Sequence, residues 1–241
     1  RHKGSHLGLI WSFLNPLRML AMYVLVFGFI FRGRFHPLHE ESRMEYALVM
    51  FLGLAIYHFV AEVVGISPML ITGNPNFVKK VVFPLEILPV SSVGAAFFHF
   101  MITLALVFVG SVLAGLPLTI GVLWLPIILV PLVAIAIGSS LLLSALGVFW
   151  RDISQLAQFL VLGLMFASAV FYPISQIPAA AWTVLKFNPF IHAINESRNV
   201  VFWGLPPSLP HIAYLYCCGF AALAVGNSVF QRLRSSFADV L

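Results

Sequence analysis

The chain has 241 residues, of which 61% are hydrophobic and only 9% charged, with 13 Lys and Arg against 8 Asp and Glu. So few charges cannot clothe a water-soluble surface, and a mean hydropathy of +1.02 points to an all-α, polytopic membrane protein. The formal charge of +5 suits basic loops facing anionic lipid or an acidic partner surface and does not indicate nucleic acid.

No polar stretch is long enough for a separate soluble domain, so residues 1–241 read as one membrane domain. Because the chain starts at Arg1 rather than Met, further N-terminal residues are expected. A signal-peptide layout is absent, since Trp11 to Pro16 interrupts any apolar core of one.

Leu7, Ile10, Trp11, Leu14 and Leu17 recur at helical spacing, with Gly4, Gly8, Ser12 and Asn15 opposite them. Residues 1–16 therefore read as an amphipathic helix lying along the membrane surface. Pro16 is expected to stop it, with Asn15 capping a new helix that turns into the bilayer.

Six apolar stretches follow, at about 17–35, 46–66, 85–116, 118–150, 153–172 and 211–230. The third and fourth exceed the length of a crossing and predict tilt, or kinks near Pro126 and Pro131. An even number of crossings puts both termini on one side. If that side is cytoplasmic, Arg1, Lys3, Arg18, Lys79, Lys80, Arg151, Arg232 and Arg234 face inward. Arg32, Arg34, Arg43, Lys186 and Arg198 then face outward, a bias that favours this orientation.

The connector at residues 67–84 is the most informative segment. Asn74-Pro75 and the helix-compatible run Asn76 to Phe83 predict a short surface helix ended by Pro84, carrying Lys79 and Lys80 side by side. Basic inner loops are common. A basic, proline-bounded strip between two spans nevertheless reads as a docking element through which a soluble partner pushes on the membrane part. Arg151 and Asp152 form a second, very short inner turn.

Between the last two spans, residues 173–210 are too apolar for an ordinary loop and too broken to cross. Pro173, Pro178, Pro189, Pro206, Pro207 and Pro210 divide them into pieces around Ala179–Phe187 and Pro189–Trp203, expected to be re-entrant or interfacial helices. Asn188 is placed to cap the second, with Pro189 at its first position.

Catalytic chemistry does not stand out. The nearest approach to a phosphate-binding loop, Gly115 to Gly121, lacks the lysine, so any ATP would have to be handled by another chain. No serine-protease or zinc-protease motif is found; Glu40, Glu41 and Arg43 sit at the wrong spacing in a polar loop, and His36 and His39 flank a proline there. Glu62 reads as solvated near the inner end of the second span, or as a contact to a gate or partner. His58 and His99 read as neutral and hydrogen-bonded between helices. Cys217 and Cys218 are adjacent, which strains any disulfide between them, and packing in the core is the plain reading. Most of the 23 phenylalanines should face lipid or the bundle core. Some can line a sugar path, because ring faces stack on pyranoses without demanding one hydroxyl pattern.

The run Arg1 to Trp11 followed by Leu14-Asn15-Pro16-Leu17, the connector Phe77 to Pro89, and Phe149-Trp150-Arg151-Asp152-Ile153 resemble segments of ABC-2 type permeases that export bacterial polysaccharides. Tyr172-Pro173-Ile174, Pro178, Asn188-Pro189, Arg198 and Phe237 to Leu241 are similar to the outer segment and C-terminus of the O-antigen members. The resemblance implies a homodimer of six-span, non-enzymatic subunits in the bacterial inner membrane, both termini cytoplasmic. Each would sit on a separate ATPase subunit that carries the ATP and Mg; no metal or cofactor belongs to this chain. It implies an interface helix at 1–16 and a coupling segment at 67–84, with Asn74, Asn76, Lys79, Lys80, Arg151 and Asp152 docking the ATPase. A periplasmic gate at 173–210 would include Trp182, Asn188, Pro189 and Arg198. The path for an undecaprenyl-diphosphate-linked polysaccharide would draw on Trp11, Phe27, Phe31, Phe166, Phe171 and Tyr172. The competing expectations are export of a capsular or teichoic-type polymer, or of a drug or small lipid.

Overall fold

A computed structural model describes residues 10–26, 35, 42–79, 84–117 and 119–240. Every regular element among them is helical. The helices are α1 (Ile10–Tyr23), α2 (Arg43–Ile66), α3 (Pro75–Lys79), α4 (Ile87–Leu113), α5 (Leu125–Phe149), α6 (Ile153–Ala167), α7 (Ala179–Leu185), α8 (Pro189–Phe202), α9 (Leu209–Arg234) and α10 (Phe237–Val240). Four helical stretches, Arg43–Met69, Ile87–Leu113, Ile120–Phe149 and Leu209–Arg234, are long and apolar enough to cross a membrane; Pro16–Val26 and Ile153–Ala167 are shorter apolar helices.

Two expectations are corrected, and a third segment is shown in more detail. α1 runs unbroken through Asn15 and Pro16 rather than ending there. A proline inside a helix removes one backbone hydrogen bond, a loss that apolar membrane helices tolerate by local adjustment. The stretch expected at 118–150 opens on a 3-10 segment at Ile120–Trp124 that runs on into α5, so that Pro126 falls in the first turn of α5, where its missing N–H costs nothing, while Pro131 lies inside the helix. The helix expected to reach Tyr172 ends at Ala167.

The chain forms two packing units. The first comprises residues up to Tyr57, Phe98–Leu125 and Ala167–Pro207. Here α2 starts with Ser42 and Glu45 at capping-box spacing, the Glu45 N–H donating to Ser42 Oγ at 3.1 Å. From Glu45 to Tyr57 every residue of α2 is buried, so this half of the helix has no lipid-facing side. The 3-10 segment at Ile120–Trp124 packs on α8, and Thr119 Oγ1 donates to Val200 O at 3.0 Å.

The second unit comprises His58–Phe97, Pro126–Phe166 and Ser208–Leu241. Its helices meet through small residues. Gly138 on α5 and Gly226 on α9 touch backbone to backbone, Gly219 lies against Pro131, and Gly147 lies against the Pro68 carbonyl. Close approach of this kind replaces the hydrophobic drive that is missing between helices in lipid. Ser67 Oγ donates to Val63 O at 2.5 Å and pairs with Ser140 Oγ at 2.8 Å, which leaves the Ser140 hydroxyl as donor in that bond. Cys217 is exposed on α9 and Cys218 half-buried, both free, so neither packs in a core. His58 is exposed on α2.

Replacing Gly138 or Gly226 by Leu drives a side chain into the facing backbone and should cost at least about 1–3 kcal/mol. Thermal unfolding of the detergent-solubilised protein would show a clearly lowered midpoint for either change, against little change for Gly163→Leu, where nothing lies nearby.

Candidate functional site

Residues 70–79 turn away from α2 and into α3. Asn74 Nδ2 donates to Leu70 O at 2.9 Å, while the Phe77 N–H donates to Asn74 O at 3.1 Å, so Asn74 shapes the turn. Pro75 then fills the first helical position, for which its fixed φ is suited. Asn76 and Phe77 are exposed. Lys79 is described as a helix position only, and Lys80 lies outside the described residues.

The exposed face of α3 has an apolar foundation. Ile71, Leu85, Leu141, Ala145, Val148, Phe230 and Phe237 form a buried cluster, and Val78 and Phe149 pack against it. Phe237, from the C-terminal turn, is fully buried. Its ring meets Phe230 edge-on at 5.5 Å and Phe149 at 6.1 Å, favourable separations for aromatic pairs. α10 consequently lies against α3.

A polar tie completes this arrangement. Arg234 Nη1 donates to Glu86 Oε1 at 2.6 Å and Gln231 Nε2 donates to the same oxygen at 2.9 Å. Burial pushes the Glu86 carboxyl up, but its own backbone N–H, Gln231 and Arg234 together outweigh that and hold it below its ordinary value.

Arg151 and Asp152 are both exposed in the turn that joins α5 to α6. The Asp152 carbonyl accepts the Gln155 and Leu156 N–H groups, each at 3.0 Å, and so starts α6. With Phe149, Trp150, Ile153 and Leu156 the pair lines an open cleft of about 590 Å³.

The other predicted residues lie in the broken segment after α6. Ala169 stands at φ 52°, a conformation costly for a residue with a Cβ. Asn188 and Arg198 hold the chain there. Asn188 caps α8 as its sequence predicts, accepting the Phe190 N–H at 3.0 Å, and its Nδ2 donates to Ala167 O at 2.9 Å and Ser168 Oγ at 3.1 Å. Arg198 is buried. Its Nε donates to Val49 O at 3.1 Å, Nη1 to Ala169 O at 2.9 Å and Nη2 to Val170 O at 2.6 Å. The guanidinium also lies 4.3 Å from the Phe35 ring centroid. A methyl group at Gly53 would come within 2.5 Å of Nη2, so the glycine makes room for it.

Trp182 on α7 meets His192 edge-on at 6.3 Å, and His192 Nε2 donates to Lys186 O at 2.7 Å. Pro189 occupies the first turn of α8. Phe166 is 58% exposed on α6, whereas Phe171 and Tyr172 are half-buried. Trp11 is a helix position whose side chain is not described, and Phe27 and Phe31 lie outside the described residues. Phe237, Phe230 and Phe149 are not legible in the sequence as the anchor of α3, because an isolated Phe carries no signal of what it meets. Nor is the Glu86–Arg234 tie, which joins residues 148 positions apart.

Three changes test this geometry. Phe237→Ala empties a buried ring site and should cost about 3–5 kcal/mol, read as a lowered unfolding midpoint together with protease cleavage near α3. Arg198→Met strands three buried carbonyls and should cost at least about 3 kcal/mol by the same unfolding measurement. The Glu86 tie is complete above the ordinary value of 4.5 and is lost as the pH falls through the lowered folded value. Glu86→Gln should therefore lower the midpoint at neutral pH and remove part of the loss that acidification causes in the wild type.

Comparison with known proteins gives the chain its relatives. The O-antigen export system permease protein RfbA of Klebsiella pneumoniae is 26% identical over all of this chain and 90% of its own length. The RfbA permease of Myxococcus xanthus is 26% identical over 99% of this chain and 90% of its own. The polysialic acid transport protein KpsM of Escherichia coli is 20% identical over 93% and 85%. The family model described as ABC-2 type transporter matches residues 2–202. With that match covering most of its length, the chain belongs to the ABC-2 type transporter family.

Proposed function

We propose that this chain is the membrane-spanning permease subunit of an ATP-driven exporter. It would carry a polysaccharide of O-antigen type, linked to undecaprenyl diphosphate, outward across a bacterial inner membrane. Two copies would act together with two separate ATPase subunits. The substrate class is favoured by relatives named for O-antigen export and polysialic acid transport, aligned over nearly the whole chain.

The observation that carries the reading is the buried cluster under α3. It gathers Val78 on α3, Phe149 at the end of α5 and Phe237 just beyond α9. Those three points must share one side of the membrane. Two crossings, α4 and α5, separate the first two. Between the second and third, α9 crosses once, so the chain from α6 to α8 must cross once more. At about 1.5 Å per residue α6 spans some 22 Å, short of the ~30 Å hydrocarbon core, and local thinning or the residues beyond Ala167 make up the rest. With α1 as the first crossing the scheme has six, and the basic residues of α3, the 150–152 turn and the end of α9 favour the cytoplasm for the side that these share with α10. α7 and α8 then lie outside, as short gate helices.

In this scheme closure of the ATPase pair on ATP pushes α3 and the Arg151–Asp152 turn. The foundation under α3 transmits the push to α5 and α9, because a packed cluster moves as a body. ATP shifts the permease between two states only through the difference in contact that the ATPase makes with α3 in each.

Deleting the gene should abolish surface polysaccharide, measured by gel electrophoresis and glycan staining, and restoring it in trans should recover the polymer. Unchanged surface glycan would overturn the reading and leave a drug or small-lipid exporter. Lys79→Glu/Lys80→Glu should reduce co-purification of the ATPase and slow export several-fold. Wild-type levels of both would remove the docking role of α3.

A further inference from the structure

α8 presents two carboxamides, Asn195 and Asn199, four residues apart and therefore on one face. Both are half-buried, and among the described residues neither side chain has a hydrogen-bond partner. Asn188 differs, its donors and acceptor all engaged in holding the chain. The two free carboxamides border a half-open cavity of about 180 Å³ with Ser175, Arg198 and the rings of Phe35 and Trp203. Ser175 is exposed in the 3-10 turn Ile174–Gln176.

The chemistry of this lining selects its occupant. Each carboxamide offers two donors and an acceptor, and the serine offers a hydroxyl, so the ligand must carry several groups that both give and accept hydrogen bonds. The rings require a C–H face at the same time. A flat apolar molecule would leave the carboxamides unpaired on desolvation, which costs affinity. A small anion would find Nε, Nη1 and Nη2 of Arg198 already directed at Val49, Ala169 and Val170. At about 30 Å³ per water the cavity has the room of about six waters, close to that of a single sugar ring.

We infer that this cavity is a saccharide subsite holding one pyranose ring of the exported glycan. Asn195 and Asn199 bind its hydroxyls and Trp203 packs on its C–H face. This rests on the function proposed above and adds a place where the polymer is gripped. Arg198 keeps the floor rigid, so the two carboxamides are pre-positioned.

The test uses the full chain in lipid nanodiscs with two probes: mannotriose, and a trisaccharide released by acid from the host's own surface polysaccharide. Saturation-transfer NMR should show magnetisation passing to ring protons of at least one probe. Asn195→Ala/Asn199→Ala should weaken that affinity about tenfold, the worth of two neutral hydrogen bonds, and slow export in cells. Ser175→Trp, a change on an exposed turn that fills the same space, should do likewise even if the double variant fails to reach the membrane. No transfer from either probe to the wild type, or equal affinity in wild type and both variants, overturns the subsite. If gene deletion removes surface glycan while the variants bind and export normally, the subsite alone fails. If deletion leaves the glycan intact, the proposed export function fails on its own evidence.

Discussion

Backbone carbonyls that leave a helix inside an apolar environment must find donors, and water cannot supply them there. In this protein the end of α6 meets that requirement through two side chains. Arg198 reaches the carbonyls of Ala169 and Val170, and Asn188 reaches that of Ala167. Both residues belong to the start and middle of α8, so the position of α8 is set by the groups it satisfies. A third bond, to Val49 O, binds the same guanidinium to the fully buried half of α2. The conformation of Ala169 is held by this arrangement, since nothing in the local sequence favours a positive φ there.

The second unit solves a different problem. A five-residue helix has no stability of its own, because nucleation costs more than so few hydrogen bonds return. α3 gains its order from what lies beneath it. Val78 meets an apolar cluster, and α10 lies beside it, held by Phe237. The Glu86–Arg234 contact, exposed by 24% and 42%, adds little in water but fixes direction. Close glycine contacts between α5 and α9 keep the cluster's walls together. Under the proposed function, a push on such a helix would pass to the packed cluster beneath it.

How much of this was legible depended on the range of the interaction. The long helices α2, α4, α5 and α9 follow from apolar run length, which is a local property. The Asn188–Pro189 start of α8 follows from capping chemistry and was read correctly. Pro16 misled, because a proline signals a break only where the rest of the helix cannot bear one lost bond. The end of α6 at Ala167 was illegible: residues 167–172 contain neither Gly nor Pro, and the stop comes from Arg198, 29 residues beyond Ala169. Lys79 and Lys80 stood out as neighbouring charges between apolar runs, whereas nothing in the sequence singled out Asn195 and Asn199. Their significance lies in having no hydrogen-bond partner among the described residues, which only three dimensions reveal.

The burial of Phe237 has a practical consequence for anyone handling this protein. That ring keeps α10 against α3, so anything added after α10 starts near that helix. An affinity tag or fluorescent fusion appended there would occupy the very surface on which a soluble subunit is expected to land. Fusions made at that end would therefore report a weakened complex for reasons of obstruction, and labelling strategies are better designed around the opposite terminus.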